Sequence, residues 1–181
     1  MALCFELVAD FGDDVEAARA AARVEPWPYT LPAGAFRIPL HRPMLSTDGP
    51  SAQVAVLPVA VGHGVAADGS LPRFELTEGE LAELGRGLYT LLEHFEGYLA
   101  AMVGWDPEPF LDTNDLATDW AEELANGTLP GLVLADSLRT RLSLGPAWVP
   151  YRPGYSWLPY TQDASGAQDV SGAQDVQDVQ E

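Results

Sequence analysis

Few residues in this sequence have the types and the spacing that catalysis or metal binding requires. Three histidines occur, His41, His63 and His94. Histidine and carboxylate side chains are ordinary zinc ligands. However, no two of these histidines are three or four residues apart, and no H-E-x-x-H motif occurs. We therefore interpret them as three unrelated side chains and predict no metal site from them.

Other chemical motifs are also incomplete. Asp112, Asn114 and Glu123 have the spacing of positions 1, 3 and 12 of a calcium-binding loop. Leu116 and Ala117 then occupy positions 5 and 6, where an oxygen ligand and a glycine are required. No phosphate-binding P-loop and no G-x-G-x-x-G dinucleotide motif occurs. The sequence therefore predicts no catalytic residue, no cofactor and no metal.

Negative charge is the strongest chemical signal. The chain has 27 acidic and nine basic residues, and its net charge is -18. Between Gly87 and Leu138 there are ten acidic residues and no arginine. Such a one-signed stretch attracts a cationic partner, although solubility alone also explains it. The acidic residues that we predict to contact a basic protein partner are Asp106, Glu108, Asp112, Asp115, Asp119, Glu122 and Glu123.

A second candidate region combines aromatic residues with proline between Pro146 and Tyr160. Its prolines exclude regular structure over most of its length, so we expect an irregular segment. One interpretation is that it covers the core beside a helix. The alternative is a ligand cleft between this segment and the sheet, in which arginine holds an anion. The residues of that alternative site are His63, Tyr151, Arg152, Tyr155 and Trp157.

One amphipathic stretch, Thr77 to Val103, positions both regions. Thr77 and Glu80 have capping-box spacing, and apolar residues follow at intervals of three and four. This pattern predicts one long helix that ends at Gly104. Gly87 and two further glycines lie within it, and each destabilises a helix interior by about 1 kcal/mol relative to alanine. We interpret them as places where another chain segment approaches closely.

The remaining pattern places strands early and helices late. This order predicts an α+β fold, in which a small antiparallel or mixed sheet from the N-terminal half packs against the long central helix and two or three shorter helices. The predicted strands are 3–8, 35–40, 53–61 and 73–76, and the predicted shorter helices are 13–24, 114–126 and 130–144. A short strand at 132–134 is the alternative within the last of these helices.

Residues 1–161 are predicted to form a single globular domain, and residues 162–181 a disordered, acidic, low-complexity tail, because Ser165 to Val170 is repeated unchanged at Ser171 to Val176. The apolar runs are too short to cross a bilayer. No secretory signal is evident, and Cys4 is the single cysteine, so we expect a cytoplasmic protein. Its acidity disfavours direct binding to nucleic acid or anionic lipid.

These observations favour a non-enzymatic interaction protein that binds a basic protein partner, and an immunity or antitoxin-like inhibitor is one concrete form. The alternative is a small enzyme or ligand-binding domain that uses the cleft described above. A third possibility is a subunit of a larger assembly, with part of the helix stripe exposed in the monomer. The sequence does not define the oligomeric state.

Overall fold

The computed structural model describes residues 3–24, 30–63 and 74–159. Within these ranges the strands are β1 (Leu3–Asp10), β2 (Thr30–Ala33), β3 (Phe36–Pro39), β4 (Met44–Ser46), β5 (Gln53–Val56), β6 (Gly62–His63), β7 (Ala100–Trp105), β8 (Val133–Ala135), β9 (Val149–Arg152) and β10 (Tyr155–Trp157). The helices are α1 (Val15–Ala21), α2 (Glu78–Leu92), α3 (Thr113–Ala117), α4 (Ala121–Asn126) and α5 (Asp136–Arg141), with a 3-10 turn at Glu108–Phe110.

The main sheet is antiparallel and has β1 near its centre. Its strand order is β4-β5-β1-β7-β8-β10-β9, and β6 pairs with the first residues of β1. β2 and β3 form a separate hairpin. The predicted α+β class is therefore confirmed, and the sheet takes strands from both halves of the chain.

Both faces of the main sheet carry a hydrophobic core. Leu7 of β1 packs in a cluster with Leu88 of α2, on what we call the first face. Its neighbour Val8 packs with Leu116 and Leu124 of α3 and α4, on what we call the second face. Alternate residues of a strand point to opposite faces, so β1 contributes side chains to both clusters.

The predicted long helix is correct at its beginning and wrong at its end. The capping box between Thr77 and Glu80 is present, but α2 ends at Leu92. Gly97 then has a φ of +85° in the turn, and the chain returns as β7 in register with β1. Phe95 and Tyr98, which continued the helical spacing, are buried in the connection. Pairing with β1 therefore determines the structure here and overrides the local pattern.

The N-terminal elements differ from the prediction in extent. The first strand reaches Asp10, and the helix predicted at 13–24 extends over Val15–Ala21, with Asp14 as its N-cap. The strand predicted at 35–40 is one arm of the β2–β3 hairpin, and the strand predicted at 53–61 ends at Val56. Residues 74–76 form no strand, and Arg73 lies outside the described residues. Predicted elements thus occur at four of these five places.

Later in the chain, helices are shorter and strands more frequent than predicted. The helix expected at 114–126 is divided into α3 and α4, and the stretch 130–144 contains both a strand, β8, and a helix, α5. The proline-aromatic segment forms the β9–β10 hairpin with an irregularity between Tyr155 and Ser156, so the prediction of no regular structure was wrong. The predicted tail, 162–181, lies outside the described residues.

Within the described ranges, none of the helices is both long enough and apolar enough to cross a bilayer.

The glycines of α2 give a test of its packing. A Cβ atom on Gly85 would lie 3.7 Å from Phe5, an ordinary contact, whereas one on Gly87 would lie 3.1 Å from Leu31 of β2. We therefore expect Gly85→Ala to raise the free energy of unfolding by about 1 kcal/mol. Gly87→Leu should lower it by about 1–3 kcal/mol through overpacking. Urea unfolding of each variant measures both effects.

A double variant shows whether contact with Leu31 causes the expected loss of stability in Gly87→Leu. Leu31→Ala removes the side chain that Gly87→Leu would meet, so the combined loss should be smaller than the sum of the single losses. Strictly additive losses, or a gain in stability with Gly87→Leu alone, would contradict close packing of α2 on β2.

Candidate functional site

A cavity of about 360 Å³ opens on the second face, next to the turn between β4 and β5. Its polar walls come from two separate parts of the chain. Ser46, Gly49, Pro50, Ser51 and Gln53 line one wall, and Glu108, Pro109, Asp112 and Asp115 line the other. We call this the acidic cavity, because three carboxylates and no basic side chain occur among the described residues that line it.

A buried aspartate holds the first wall in place. Asp10, at the end of β1, is fully buried. Its carboxylate accepts hydrogen bonds from the Gly12 N–H at 2.9 Å, from Gln53 Nε2 at 3.1 Å and from the Ser51 hydroxyl. A buried carboxylate is strongly unfavourable without such donors. Ser51 and Gln53 at this wall are therefore hydrogen-bonded to the end of β1.

The second wall begins where β7 ends. Asp106 has a φ of +44°, a left-handed conformation that aspartate tolerates better than most residues. Its backbone N–H donates to the carbonyl of Cys4 at 2.9 Å, and its carboxylate accepts the Cys4 N–H at 2.7 Å. From there the chain continues through the 3-10 turn to Leu111 and Leu116, which are buried in the second-face cluster. These contacts hold Glu108 and Asp112 beside the sheet.

Glu6 extends the acidic surface along β1. It lies directly opposite Gly104 of β7, where a Cβ atom would meet nothing within 4 Å, so the space beside it is open. Burial raises the pKa of the Glu6 carboxyl to about 7, with further contributions from the negative charges of Asp106 and Glu108. We call Glu6, Asp106 and Glu108 the carboxylate cluster. Glu108 belongs to both the cluster and the cavity, so the two form one continuous acidic surface.

Cys4 is next to this cluster and is not an activated thiol. Burial raises its pKa, and the negative charges of Glu6 and Asp106 raise it further. The thiolate is the nucleophilic form of cysteine, and a raised pKa reduces its population at neutral pH. The chemistry of the surface is therefore that of its carboxylates.

The structure brings together part of the predicted partner-binding set. Glu108, Asp112 and Asp115 line one cavity, and Asp106 belongs to the adjoining carboxylate cluster. Asp119, Glu122 and Glu123 lie between α3 and α4 or on α4, and they do not line the cavity. Glu6, Ser46, Ser51 and Gln53 were not predicted as site residues. Glu6 and Gln53 are polar residues in two of the predicted strands, which was the available signal, but the sequence did not reveal which strands pair.

The residues of the alternative ligand cleft have a different arrangement. Arg152 donates to the carbonyl of Glu93 at 3.0 Å and to that of Phe95, and its guanidinium lies 4.4 Å from the centre of the Tyr155 ring. The Tyr151 hydroxyl donates to the carbonyl of Tyr89. These polar groups thus bind the chain that leaves α2.

The other members of that alternative site do not complete a cleft. The Tyr155 hydroxyl accepts the Gly97 N–H at 3.1 Å, and Trp157 packs edge-to-face on Tyr89 at 5.5 Å. His63 lies in β6 opposite Leu3, whereas the β9–β10 hairpin lies beyond β7 and β8 in the sheet. The other four residues of the predicted cleft therefore lie together in the β9–β10 hairpin, and their described contacts pack this hairpin onto the core.

Among the described side chains, no group of three or more histidine, cysteine, aspartate or glutamate residues has an arrangement that could hold a metal ion. Comparisons with protein-family models, with curated proteins and with solved structures find no match to this chain.

The carboxylate cluster makes stability depend on pH. A carboxyl group with a higher pKa in the folded chain than in the unfolded chain binds its proton more tightly when folded. The contribution of Glu6 to the free energy of unfolding therefore decreases as the pH rises from about 4.5 to above 7. Glu6→Gln should remove this loss, stabilising the protein on the order of 1–3 kcal/mol at pH 8 and very little at pH 4.

Chemical unfolding at a series of pH values measures this effect, and Glu96→Gln, an exposed site in the connection after α2, is the control for removal of one negative charge. A Glu6→Gln effect that is the same at pH 4 and pH 8 would contradict the proposed environment of the carboxyl group.

Proposed function

We propose that this protein is a non-enzymatic, acidic interaction protein whose second face binds a basic protein partner. The observation that carries the proposal is the acidic cavity, in which Glu108, Asp112 and Asp115 converge from one side without a basic residue among its described lining. A lysine or arginine side chain of a partner is the chemical group that complements this arrangement.

Electrostatics supports the same conclusion. Glu6 retains its proton up to about pH 7, partly because Asp106 and Glu108 are close. Repulsion among like charges is relieved when a cation approaches, so partner binding should be accompanied by loss of the Glu6 proton. The net charge of -18 adds a long-range attraction that speeds encounter with a basic protein at low salt.

The composition of the cavity favours a side chain of a protein over a small organic molecule. Pockets for small ligands are mostly apolar with a few polar groups. About half of the lining surface here is polar, and its polar groups include the carboxylates of Glu108, Asp112 and Asp115. A flexible basic side chain fits such a site because its charged end needs carboxylates and its methylene stem packs along the apolar part of the lining.

An immunity or antitoxin-like inhibitor is one form that this function can take, because such a protein neutralises a target of opposite charge. A cytoplasmic location and the lack of direct binding to nucleic acid stay predictions from composition.

Neutralising the carboxylates of the cavity should strongly reduce partner capture. We expect the tagged protein to recover a basic protein from the source cell at 50 mM salt, and less of it at 300 mM, because salt screens charge pairs. The variant Glu108→Gln/Asp112→Asn/Asp115→Asn should recover at least about tenfold less. Quantitative mass spectrometry of the captured proteins provides the measurement.

The matched control is Glu75→Gln/Glu93→Gln/Glu96→Gln, which removes the same number of charges from exposed positions before and after α2. It should capture the partner as the unaltered protein does. Equal loss in both variants would show that net charge alone matters, and capture that is insensitive to salt would contradict the electrostatic basis of the proposal.

A further inference from the structure

Strand β4 forms one edge of the main sheet. It is the first strand in the sheet order, and among the described strands only β5 pairs with it. Met44 is 50% exposed and Leu45 is 37% exposed, which is high for apolar residues in a strand. An exposed strand edge with apolar side chains is a template for pairing with another chain.

The opposite edge of the sheet is protected. Its outer strand, β9, contains Pro150, which has no N–H to donate, and Pro153 follows the strand. The Tyr151 hydroxyl and the Arg152 guanidinium also bind the chain around the end of α2. β4 contains no proline among its three residues, and Pro43 lies immediately before its first residue. The two edges therefore differ in their capacity to accept a further strand.

The register of β4 places its residues on defined faces. Met44 pairs with Ala55 and Ser46 with Gln53, so both share the second face with these residues. Leu45 pairs with Val54 and shares the first face with the core under α2. Ser46 also lines the acidic cavity. Alternate residues of a strand added beside β4 would therefore point to the cavity side and to the apolar side.

From this arrangement we infer that the basic partner binds by adding an extended segment to the edge of β4, with basic residues alternating with apolar ones. The inference rests on the proposed function and specifies the mode of recognition. Basic side chains of the added strand lie on the face of Ser46, near the carboxylates of Glu108 and Asp115. Its apolar side chains lie on the face of Leu45 and extend the first-face core.

Charge selects the occupant of this edge. A second copy of the chain would bring a net charge of -18 and a second acidic cavity to the same place, so self-pairing is opposed by repulsion. β4 has three residues and offers few backbone hydrogen bonds. The affinity of an added strand therefore depends on charge as well as on backbone pairing. A cationic extended segment supplies both the positive charge and the backbone groups for pairing.

A synthetic peptide tests the inference without knowledge of the natural partner. Acetyl-Val-Lys-Val-Lys-Val-Lys-amide should bind the full chain at low salt, as measured by calorimetry. Methylation of every backbone nitrogen retains the three charges but removes the donors, so it should weaken binding about tenfold or more. Hydrogen exchange should slow at the amides of β4 in the complex and stay unchanged at β9, which is the control edge.

The outcomes separate this inference from the proposed function. One outcome is peptide binding that is sensitive to salt, persists after methylation of the peptide backbone and leaves hydrogen exchange at β4 unchanged. That result would overturn strand addition but would support binding at the acidic surface. Protection of β4 that persists in Glu108→Gln/Asp112→Asn/Asp115→Asn supports strand addition and contradicts the role of the cavity. Protection of β4 that rises with protein concentration, without peptide, would overturn the inference in favour of self-pairing.

Discussion

Strand β1 is buried on both faces, and this burial determines how the other elements pack around it. Leu7 and Val8 are adjacent and buried on opposite faces, so each face needs its own cover. On the first face α2, with 15 residues, the β2–β3 hairpin and the shorter helix α1 supply it. On the second face a longer irregular segment with short helices supplies it. This second cover carries Glu108, Asp112 and Asp115, and it leaves space beside Gly104 of β7, where a Cβ atom would meet nothing within 4 Å.

How much of this fold could be predicted from sequence depended on whether local signals agreed with tertiary pairing. The Thr77 capping box is local, and α2 begins where it indicates. The end of α2 is set by β7 pairing with β1 over Ala100 to Trp105, a contact between distant parts of the chain. The β9–β10 hairpin was not predicted, because the prolines in this segment were interpreted as excluding regular structure. Pro150 is compatible with β9 because β9 is an edge strand of the sheet.

The candidate site shows the same limit. Runs of acidic residues were visible in the sequence, and three of seven predicted positions line one cavity. The other wall, from Ser46 to Gln53, is brought there by β5 pairing with β1 and by the hydrogen bonds of Asp10. Glu6 resembled any polar residue in a strand. Its environment arises because Asp106 returns to bond with Cys4, which places carboxylates next to it.

Zero-length cross-linking of the complex with its captured partner identifies the carboxylates that contact the partner. A carbodiimide joins a carboxylate to a lysine amine that is in contact with it. This chain contains no lysine, and its nine basic residues are all arginine. Apart from the chain's own N-terminal amine, cross-links from its carboxylates must therefore lead to another protein. We expect mass spectrometry to find them at Glu108, Asp112 or Asp115. Cross-links confined to the acidic residues of α2, such as Glu78 and Glu83, would place the partner on the first face and contradict the account.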